Sequence, residues 1–398
     1  MCCKDRYVYI CIMEKVWYGP SYKLGVLGGG QLGRMLIQAA LSYDVQVHVM
    51  DASEDFPCGK IAHSFTCGDI QNFDDVIAFG KDKDVITVEI EHVNVDALEQ
   101  LESEGVKVFP QPRVLRLIQD KGEQKKFYRE KNIPTAPFEL VEHKNEIPAH
   151  YNLLPFVQKM RKGGYDGKGV YKFLDESAFE QAFDVPSVLE QFVDFEKELS
   201  VIVARNEDGE MKTFPLVECE FNPTLNLVEF LFSPANVSPA VEEEAERLAK
   251  KIITELDMVG ILAVELFLTK EGKLLVNEIA PRTHNSGHHT IECNKTSQFE
   301  QHLRAITNQP LGSTKMTTAG VMINLLGHTD YAGAVFYEGL SNVMQKEGVF
   351  VHVYGKAETK PNRKMGHVTI TDTRLSIAKE VAREVQGVLQ VKSTEANK

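Results

Sequence analysis

From Tyr22 onward, short β-rich runs alternate with helical periods, and the first switch between them is a cluster of glycines, Gly25-Val-Leu-Gly28-Gly-Gly30-Gln-Leu-Gly33. No other feature limits the fold so strongly. A strand that turns at glycine into a helix, and then repeats the pattern, brings successive strands back in the same direction and builds a parallel sheet. YKLGVLG reads as a strand, GGQLGRMLIQAALS as a helix and VQVHVMD as the next strand; FDDVIAFG, DVITVE, VDALEQLESEG and VKVFP continue the alternation. A doubly wound α/β unit over residues 22–119 is predicted. A helix from Lys121 to Lys131 follows and closes at Ile133-Pro134, because the residue before proline avoids helix.

From about Phe138 the texture changes to strands in succession: FVQKM, GVYKF, SVLEQF, ELSVIVAR, MKTFPLVE and NLVEFLF. This is α+β, largely antiparallel, and one amphipathic helix interrupts it. There Val241, Ala245, Leu248, Ala249, Ile252 and Leu256 recur at helical spacing. The strands ILAVELFL and KLLVNEIA precede a motif-dense loop and a helix from Ser297 to Thr307. This central unit is expected to span 120–315. Strands VMINLLG, FVHVYG and HVTITD and a helix near Ser376–Leu389 form a small β-rich unit over 316–398. Residues 1–21 are an extension of unknown role; they lack a signal-peptide cleavage site, and Val16, Trp17 and Tyr18 could cover a neighbouring apolar surface.

The 398 residues suffice for a large core without staples. With 44 Lys+Arg against 57 Asp+Glu the net charge is −13, which argues against general nucleic-acid or anionic-membrane binding. No apolar run approaches the 18 or more residues of a membrane span. Seven cysteines, at 2, 3, 11, 58, 67, 219 and 293, include no CxxC pair, so neither a disulfide framework nor a thiolate zinc site is indicated, and the expected location is cytoplasmic.

Five constellations carry chemistry. Gly28, Gly30 and Gly33 satisfy GxGxxG between strand and helix, with Asp51 ending the next strand; this is the dinucleotide fingerprint, or only a tight strand–helix turn. Arg161-Lys-Gly-Gly164-Tyr165-Asp166-Gly167-Lys168-Gly169 lies between two strands and reads as a flap that closes over phosphates, with Lys159 beneath it, or as a solvated hairpin. The strands Leu262–Leu268 and Lys273–Ile279 form a hairpin. Turning symmetrically between Glu271 and Gly272, it sets Glu265 opposite Glu278, with Cα atoms roughly 4.5–5.5 Å apart. Ala263, Phe267, Val276 and Ala280 are then the same-face neighbours. Two carboxylates in apolar surroundings want either a shared proton or a hard divalent cation; Mg²⁺ with substrate phosphates fits, and Asn277 is a further ligand or phosphate contact. Pro281-Arg282-Thr-His284-Asn285-Ser-Gly287-His288-His289 follows. Its histidines could bind zinc, but Arg282 and His284 better suit a small oxyanion. Lys356-Ala-Glu-Thr-Lys-Pro-Asn-Arg363-Lys364 is a basic stretch in an acidic chain, either a local anion site or a solvated loop.

Together GVLGGGQLGRM, VITVEIEHV, GGYDGKG, NEIAPRTHNSGH, SQFEQHLRAI and YGKAETKPNRKMGH resemble the 5-(carboxyamino)imidazole ribonucleotide synthases (phosphoribosylaminoimidazole carboxylase ATPase subunits), an ATP-grasp family of purine biosynthesis. The resemblance covers about Lys23 to Thr371. It implies an ATP-grasp fold between the α/β domain and the small C-terminal domain. The implied reaction is ATP-driven carboxylation of 5-aminoimidazole ribonucleotide by bicarbonate through carboxyphosphate, with Mg²⁺. By the same resemblance Lys121, Lys159, the flap Gly164–Gly169 with Lys168, Asn277 and Glu278 serve ATP. Glu190, Gln191, Phe192 and Val193 hold adenine and Glu198 the ribose hydroxyls. Glu265 and Glu278 hold the metal; Arg282, His284, Asn285 and Lys168 are catalytic; Tyr165, Lys356 and Arg363 hold the ribonucleotide. A homodimer is implied. Lys121 stands where an arginine is frequent, Val170 where a glutamine closes the flap, and Phe221 where a histidine meets nucleotide. The alternatives are another ATP-grasp ligase, such as a formate-dependent ribonucleotide transformylase, and a dinucleotide-dependent oxidoreductase.

Overall fold

The computed structural model describes residues 16–164, 169–221 and 228–394. Strands β1 (Lys23–Leu27), β2 (Gln46–Asp51), β3 (Ser64–Cys67), β4 (Val85–Val88) and β5 (Lys107–Val108) form one parallel sheet in the order β3-β2-β1-β4-β5. Helices α1 (Gln31–Leu41), α2 (Phe73–Gly80), α3 (Val95–Ser103) and α4 (Pro112–Ile118) accompany it. β1 and β4 are buried almost throughout, as parallel strands covered on both faces must be. β3 and α4 were not expected. β3 is a largely exposed edge strand, with no apolar run to announce it. The strand order reverses between β1 and β4, where open α/β sheets leave a crevice at their carboxyl ends.

The predicted helix is α5 (Lys121–Glu130), capped by the Asp120 carboxylate, which accepts from the Gly122 and Glu123 amides at 2.8 and 3.3 Å. Strands β6 (Phe138–Val141), β7 (Phe156–Met160), β8 (Val170–Phe173) and β9 (Ser187–Gln191) form an antiparallel sheet ordered β6-β9-β7-β8. Strands β10 (Phe195–Arg205), β11 (Met211–Thr213), β12 (Val217–Phe221) and β13 (Val228–Ser233), helix α6 (Pro239–Glu255), and strands β14 (Gly260–Thr269) and β15 (Leu274–Ala280) complete the central region. On one face of β10, β14 and β15, Leu199, Val201, Val264, Leu266, Val276 and Ile279 join Leu248, Ala249 and Ile252 of α6 in one core. Each of the larger side chains contributes about 1.5–3 kcal/mol by leaving water.

The remainder comprises α7 (Thr290–Cys293), α8 (Gln298–Ile306), β16 (Ala319–Leu326), β17 (Gly333–Glu338), α9 (Leu340–Val343), β18 (Val349–Val353), β19 (Glu358–Thr359), β20 (Lys364–Asp372), α10 (Leu375–Val388) and β21 (Gln390–Ser393). The large sheet runs β15-β14-β10-β12-β13-β16-β20-β18, so β16, β20 and β18 extend the central sheet through the β13–β16 pairing. β19, β17 and β21 form a small sheet of their own. Helix α8 binds the first sheet to the rest: Phe299, Leu303 and Ile306 are buried with Leu32, Leu36 and Ile37 of α1. The Tyr43 hydroxyl adds a hydrogen bond to Glu300 at 2.7 Å. Trp17 leans on Tyr43 at 5.4 Å between ring centres and packs on the same cluster, so the extension is docked from that point. Residues 1–15 lie outside the described residues. Among the described residues no helix is long and apolar enough to cross a membrane.

Candidate active site

Glu265 of β14 does pair with Glu278 of β15, but not by the symmetric turn expected. Next to the turn the ladder sets Leu268 against Leu274 and Leu266 against Val276, one residue out of that register. A β-bulge at Asn277 restores it. The correction has a chemical consequence, since Val276 is not a same-face neighbour and instead lies in the α6 core. The extra residue turns both Asn277 and Glu278 toward the same cleft, as bulges re-aim side chains. Glu198 of β10 shares the acidic face. Burial, with the neighbouring Glu265 carboxylate, pushes Glu198 up to about 7. Burial and the facing Glu278 push Glu265 up to about 7 as well. Burial also acts to raise Glu278, yet Lys121, Lys159 and Arg282 hold it below the usual range.

Cations meet this edge from two directions. Lys121, first residue of α5, forms an ion pair with Glu278. Lys159 of β7 donates to the Asn277 amide oxygen at 3.0 Å and lies 3.3 Å from Glu190. The other Glu190 oxygen is 2.6 Å from the Lys125 ammonium, both side chains being about 5% exposed or less. Burial would raise Glu190, but the two lysines keep it ionised; burial drives Lys125 down to about 8. Removing Glu190 would strand the buried Lys125 charge, at a cost of about 3–5 kcal/mol. Lys125 was not foreseen, because a lysine inside KGEQKKFYRE looks like a solvated helix face. Arg161 anchors the flap base to Asp120 through two contacts of 2.8 Å, and Gly164 and Gly169 lie against each other there. Tyr165, Asp166, Gly167 and Lys168 lie outside the described residues. Gln191 ends β9 and Phe192 follows it, with their amides on the Pro137 and Pro155 carbonyls at 2.8 Å, and Val193 comes next. Val170 is exposed at the start of β8, opposite Lys159, and Phe221 ends β12.

Beyond β15 the chain carries Arg282 and His284 to the Glu265 side. Arg282 Nε lies 2.9 Å from Glu91 and its Nη1 donates to the Thr283 carbonyl at 3.0 Å. The His284 ring is set by contacts at both nitrogens, Nδ1 2.9 Å from the Ser286 hydroxyl and Nε2 3.4 Å from Glu265. Ser286 is held in turn by Ser200 at 2.8 Å. Burial, then Arg282 and Lys364, lower His284 to about 3, so a neutral imidazole faces the acids. The His284 backbone is clamped by Gln298, which accepts from its N–H at 2.9 Å and donates to its C=O at 2.7 Å. That clamp ties the HNSGH loop to the SQFEQ helix. Asn285 opens the 3₁₀ turn that follows. His288 is spent in a ring stack with Phe299 and His367. Among the described residues no group of three or more His, Cys, Asp or Glu is placed to hold a metal ion. Glu265 and Glu278 are a facing carboxylate pair, with Lys121 on Glu278 and Lys159 on the Asn277 oxygen beside them.

The GxGxxG turn does something different from what its pattern suggests. Gly28 and Gly30 face Glu89: a Cβ on Gly30 would lie 2.3 Å from its carboxylate. Glu89 accepts from the Leu32 amide at 3.1 Å, and Asp51 takes the Gly29 amide at 2.6 Å. The place a dinucleotide's pyrophosphate would occupy is filled by the protein's own acids. Burial pushes Glu89 up to about 7, with Arg282 and Lys356 opposing. Lys356 reaches the Lys364 carbonyl at 2.7 Å and Arg363 the Glu358 carbonyl at 2.7 Å. Burial and then Arg363 lower Lys356 to about 8, with Lys364 and Lys360 adding to the crowding of cations. Arg34 of α1 stands near Gly355, a further cation on this side that sequence reading passed over.

Three family models match successive parts of the chain: a ribonucleotide synthetase preATP-grasp domain over 21–119, an ATP-grasp domain over 126–299 and a phosphoribosylaminoimidazole carboxylase C-terminal domain over 320–381. The N5-carboxyaminoimidazole ribonucleotide synthase of Bacillus subtilis is 38% identical over 90% of this chain and 93% of its own. The chloroplastic phosphoribosylaminoimidazole carboxylase of Vigna aconitifolia is 40% identical over 89% of this chain, which spans only 64% of that longer protein. The crystal structure of the Aspergillus clavatus N5-carboxyaminoimidazole synthase in complex with ADP and 5-aminoimidazole ribonucleotide superposes with a TM-score of 0.84 at 32% identity, covering 94% of this chain and 99% of that one. These matches leave no place for the dinucleotide-dependent oxidoreductase: the chain belongs to the N5-carboxyaminoimidazole ribonucleotide synthase family of ATP-grasp ligases.

Proposed function

We infer that the chain uses ATP to carboxylate 5-aminoimidazole ribonucleotide, giving N5-carboxyaminoimidazole ribonucleotide in purine biosynthesis. One observation supports this most: β15 and the segment after it bring an acid pair beside two lysines together with an arginine and a histidine. The β15 bulge aims Asn277 and Glu278 at Lys159 and Lys121, and a few residues on the chain delivers Arg282 and His284 beside Glu265. In the reaction a bicarbonate oxygen attacks the γ-phosphorus of ATP and the bond to ADP breaks. The exocyclic amine of the ribonucleotide then attacks the carboxyphosphate carbon, and phosphate leaves.

In this reading Lys121, Lys159 and Lys168 neutralise the triphosphate, and the rest of the flap, including Asp166 and Gly167, closes over it. The Glu190–Val193 segment takes adenine, and Glu198 the ribose hydroxyls. Glu265 and Glu278, with Asn277 beside them, would hold Mg²⁺, which when bound draws off phosphate charge. Arg282, with Asn285 following, grips the acid's oxygens, and His284 offers it a neutral Nε2. Lys356, Arg363 and Tyr165 receive the ribonucleotide and its phosphate. The same reading divides the chain after 119 and after 315 and makes it a cytoplasmic homodimer, which sedimentation would test. The deciding assay is ADP formation with ATP, Mg²⁺, bicarbonate and 5-aminoimidazole ribonucleotide each omitted in turn. Full rate is expected only with all four. Full rate with formate and glycinamide ribonucleotide instead would move the chain to a transformylase.

A further inference from the structure

We propose that Glu91, a residue of the first domain, positions Arg282 for the carboxylation half-reaction; this rests on the reading of Arg282 as the acid-binding group. Arg282 feels four carboxylates. Glu89 and Glu278 act on it across the site, Glu265 feels its charge, and among the described residues Glu91 alone makes an ion pair with it, 2.9 Å from Nε. Both side chains are less than a fifth exposed, so the pair is only weakly screened. Glu91 is itself fixed: its carbonyl accepts from Gln119 at 2.8 Å and from the Val93 amide at 2.9 Å. The loop after β4 is thus a rigid post on which the guanidinium is hung.

Guanidinium has five donors in a planar fork. The Glu91 carboxylate lies 2.9 Å from Nε on one edge of the fork and the Thr283 carbonyl takes one hydrogen of Nη1, so that among the described residues the Nη2 side of the fork is left to face a small oxyanion. Without Glu91 the other carboxylates acting on Arg282 include Glu89 and Glu278, and Arg282 drawn onto Glu278 would compete for the oxygens proposed to hold the metal. Glu91 therefore selects one rotamer of Arg282 among several that electrostatics would allow. It touches no substrate and acts through Arg282 alone. The pair also joins the loop after β4 of the first domain to the segment after β15 of the central one.

The test is a double-mutant cycle read by steady-state kinetics. Glu91→Ala is expected to lower kcat by about 10- to 100-fold and raise the bicarbonate KM, the scale of losing a charge-assisted contact. The KM for ATP, and ADP binding measured by calorimetry, should stay within about twofold of wild type. Glu91→Gln keeps shape and an acceptor oxygen, and should lose only about three- to tenfold in kcat. In an Arg282→Ala background neither substitution should lower kcat further, because the path runs through that guanidinium. Should Glu91→Ala fold poorly, the Glu91→Gln arm of the cycle carries the same comparison. Wild-type kcat and bicarbonate KM in both variants would overturn the proposal. An equal loss on top of Arg282→Ala, or a uniform rise in all three KM values, would overturn it too, marking Glu91 as a structural seam. A wild-type enzyme whose ADP formation ignored bicarbonate would instead overturn the functional reading beneath it.

Discussion

The chain carries two glycine-rich turns after β-strands, and they meet opposite surroundings. At the Gly28–Gly33 turn the backbone amides face inward onto Asp51 and Glu89. At the flap between β7 and β8 the neighbours include cations, with Lys159 on the strand below and Lys121 across the cleft. Glycines free the backbone equally in both places. What differs is the charge that the rest of the fold sets opposite them, and in the proposed function that charge decides which turn takes phosphate.

The contrast is sharpened most by removing an acid from the cation-rich side. Glu278→Gln is expected to abolish metal-dependent turnover, by about 10³-fold, the scale of losing an electrostatic element of an active site. Charge repulsion alone predicts equal or higher thermal stability for this variant. The ion pair with Lys121 changes that expectation to a loss within about 1 kcal/mol, since Glu278 is half exposed. Thermal melts without Mg²⁺ measure it, and near-normal activity at wild-type Mg²⁺ dependence would place the metal elsewhere.

Next in size, Arg282→Ala or His284→Ala should cut kcat by about 10²-fold with the KM for ATP preserved, because these groups lie on the acid side of β15. An equal rise in the ATP KM would merge the two sides. Arg363→Ala should mainly raise the KM for the ribonucleotide, about 10- to 100-fold. If that KM did not move, the basic loop would be a solvated turn. Lys356 adds a pH signature. It loses its proton near pH 8, so ribonucleotide KM should climb above that pH by up to about tenfold per unit. For stability the sign is opposite: between about 8 and the ordinary lysine value the unfolded chain binds more protons, so this group's contribution rises with pH.

The smallest functional effect belongs to the other turn. Gly28 has φ +104°, and a Cβ there would meet the Glu89 Cβ at 2.9 Å. Gly28→Ala should therefore cost about 1–3 kcal/mol of stability, with the ATP KM within about twofold of wild type. Saturable NAD(P)H binding by the wild-type protein, followed by fluorescence, would break the contrast outright.

Most elements of the first domain were legible because each side-chain period matched one burial pattern. β3 escaped as an exposed edge strand. The proposed site was legible where chemistry crowds into contiguous motifs, NEIAPRTHNSGH and the basic loop; Tyr165–Lys168 of the flap lie outside the described residues. It was obscure where a partner comes from afar. Glu91, Lys125 and Gln298 are ordinary polar residues in their own segments; only folding brings them to Arg282, Glu190 and His284.

The Glu265–Glu278 pairing shows the division most clearly. Sequence alone determined that two β-runs flank a tight turn and that each carries a glutamate, because alternation and turn chemistry are local. It could not determine that the pairing beside the turn is one residue out of the symmetric register, or that a bulge at Asn277 restores it. Slipping a strand by one residue exchanges its faces, so register is chosen by whichever arrangement buries the apolar set, here Val276 and Ile279 against α6. That choice belongs to the packed core, and it turned Asn277 and Glu278 together toward the lysines.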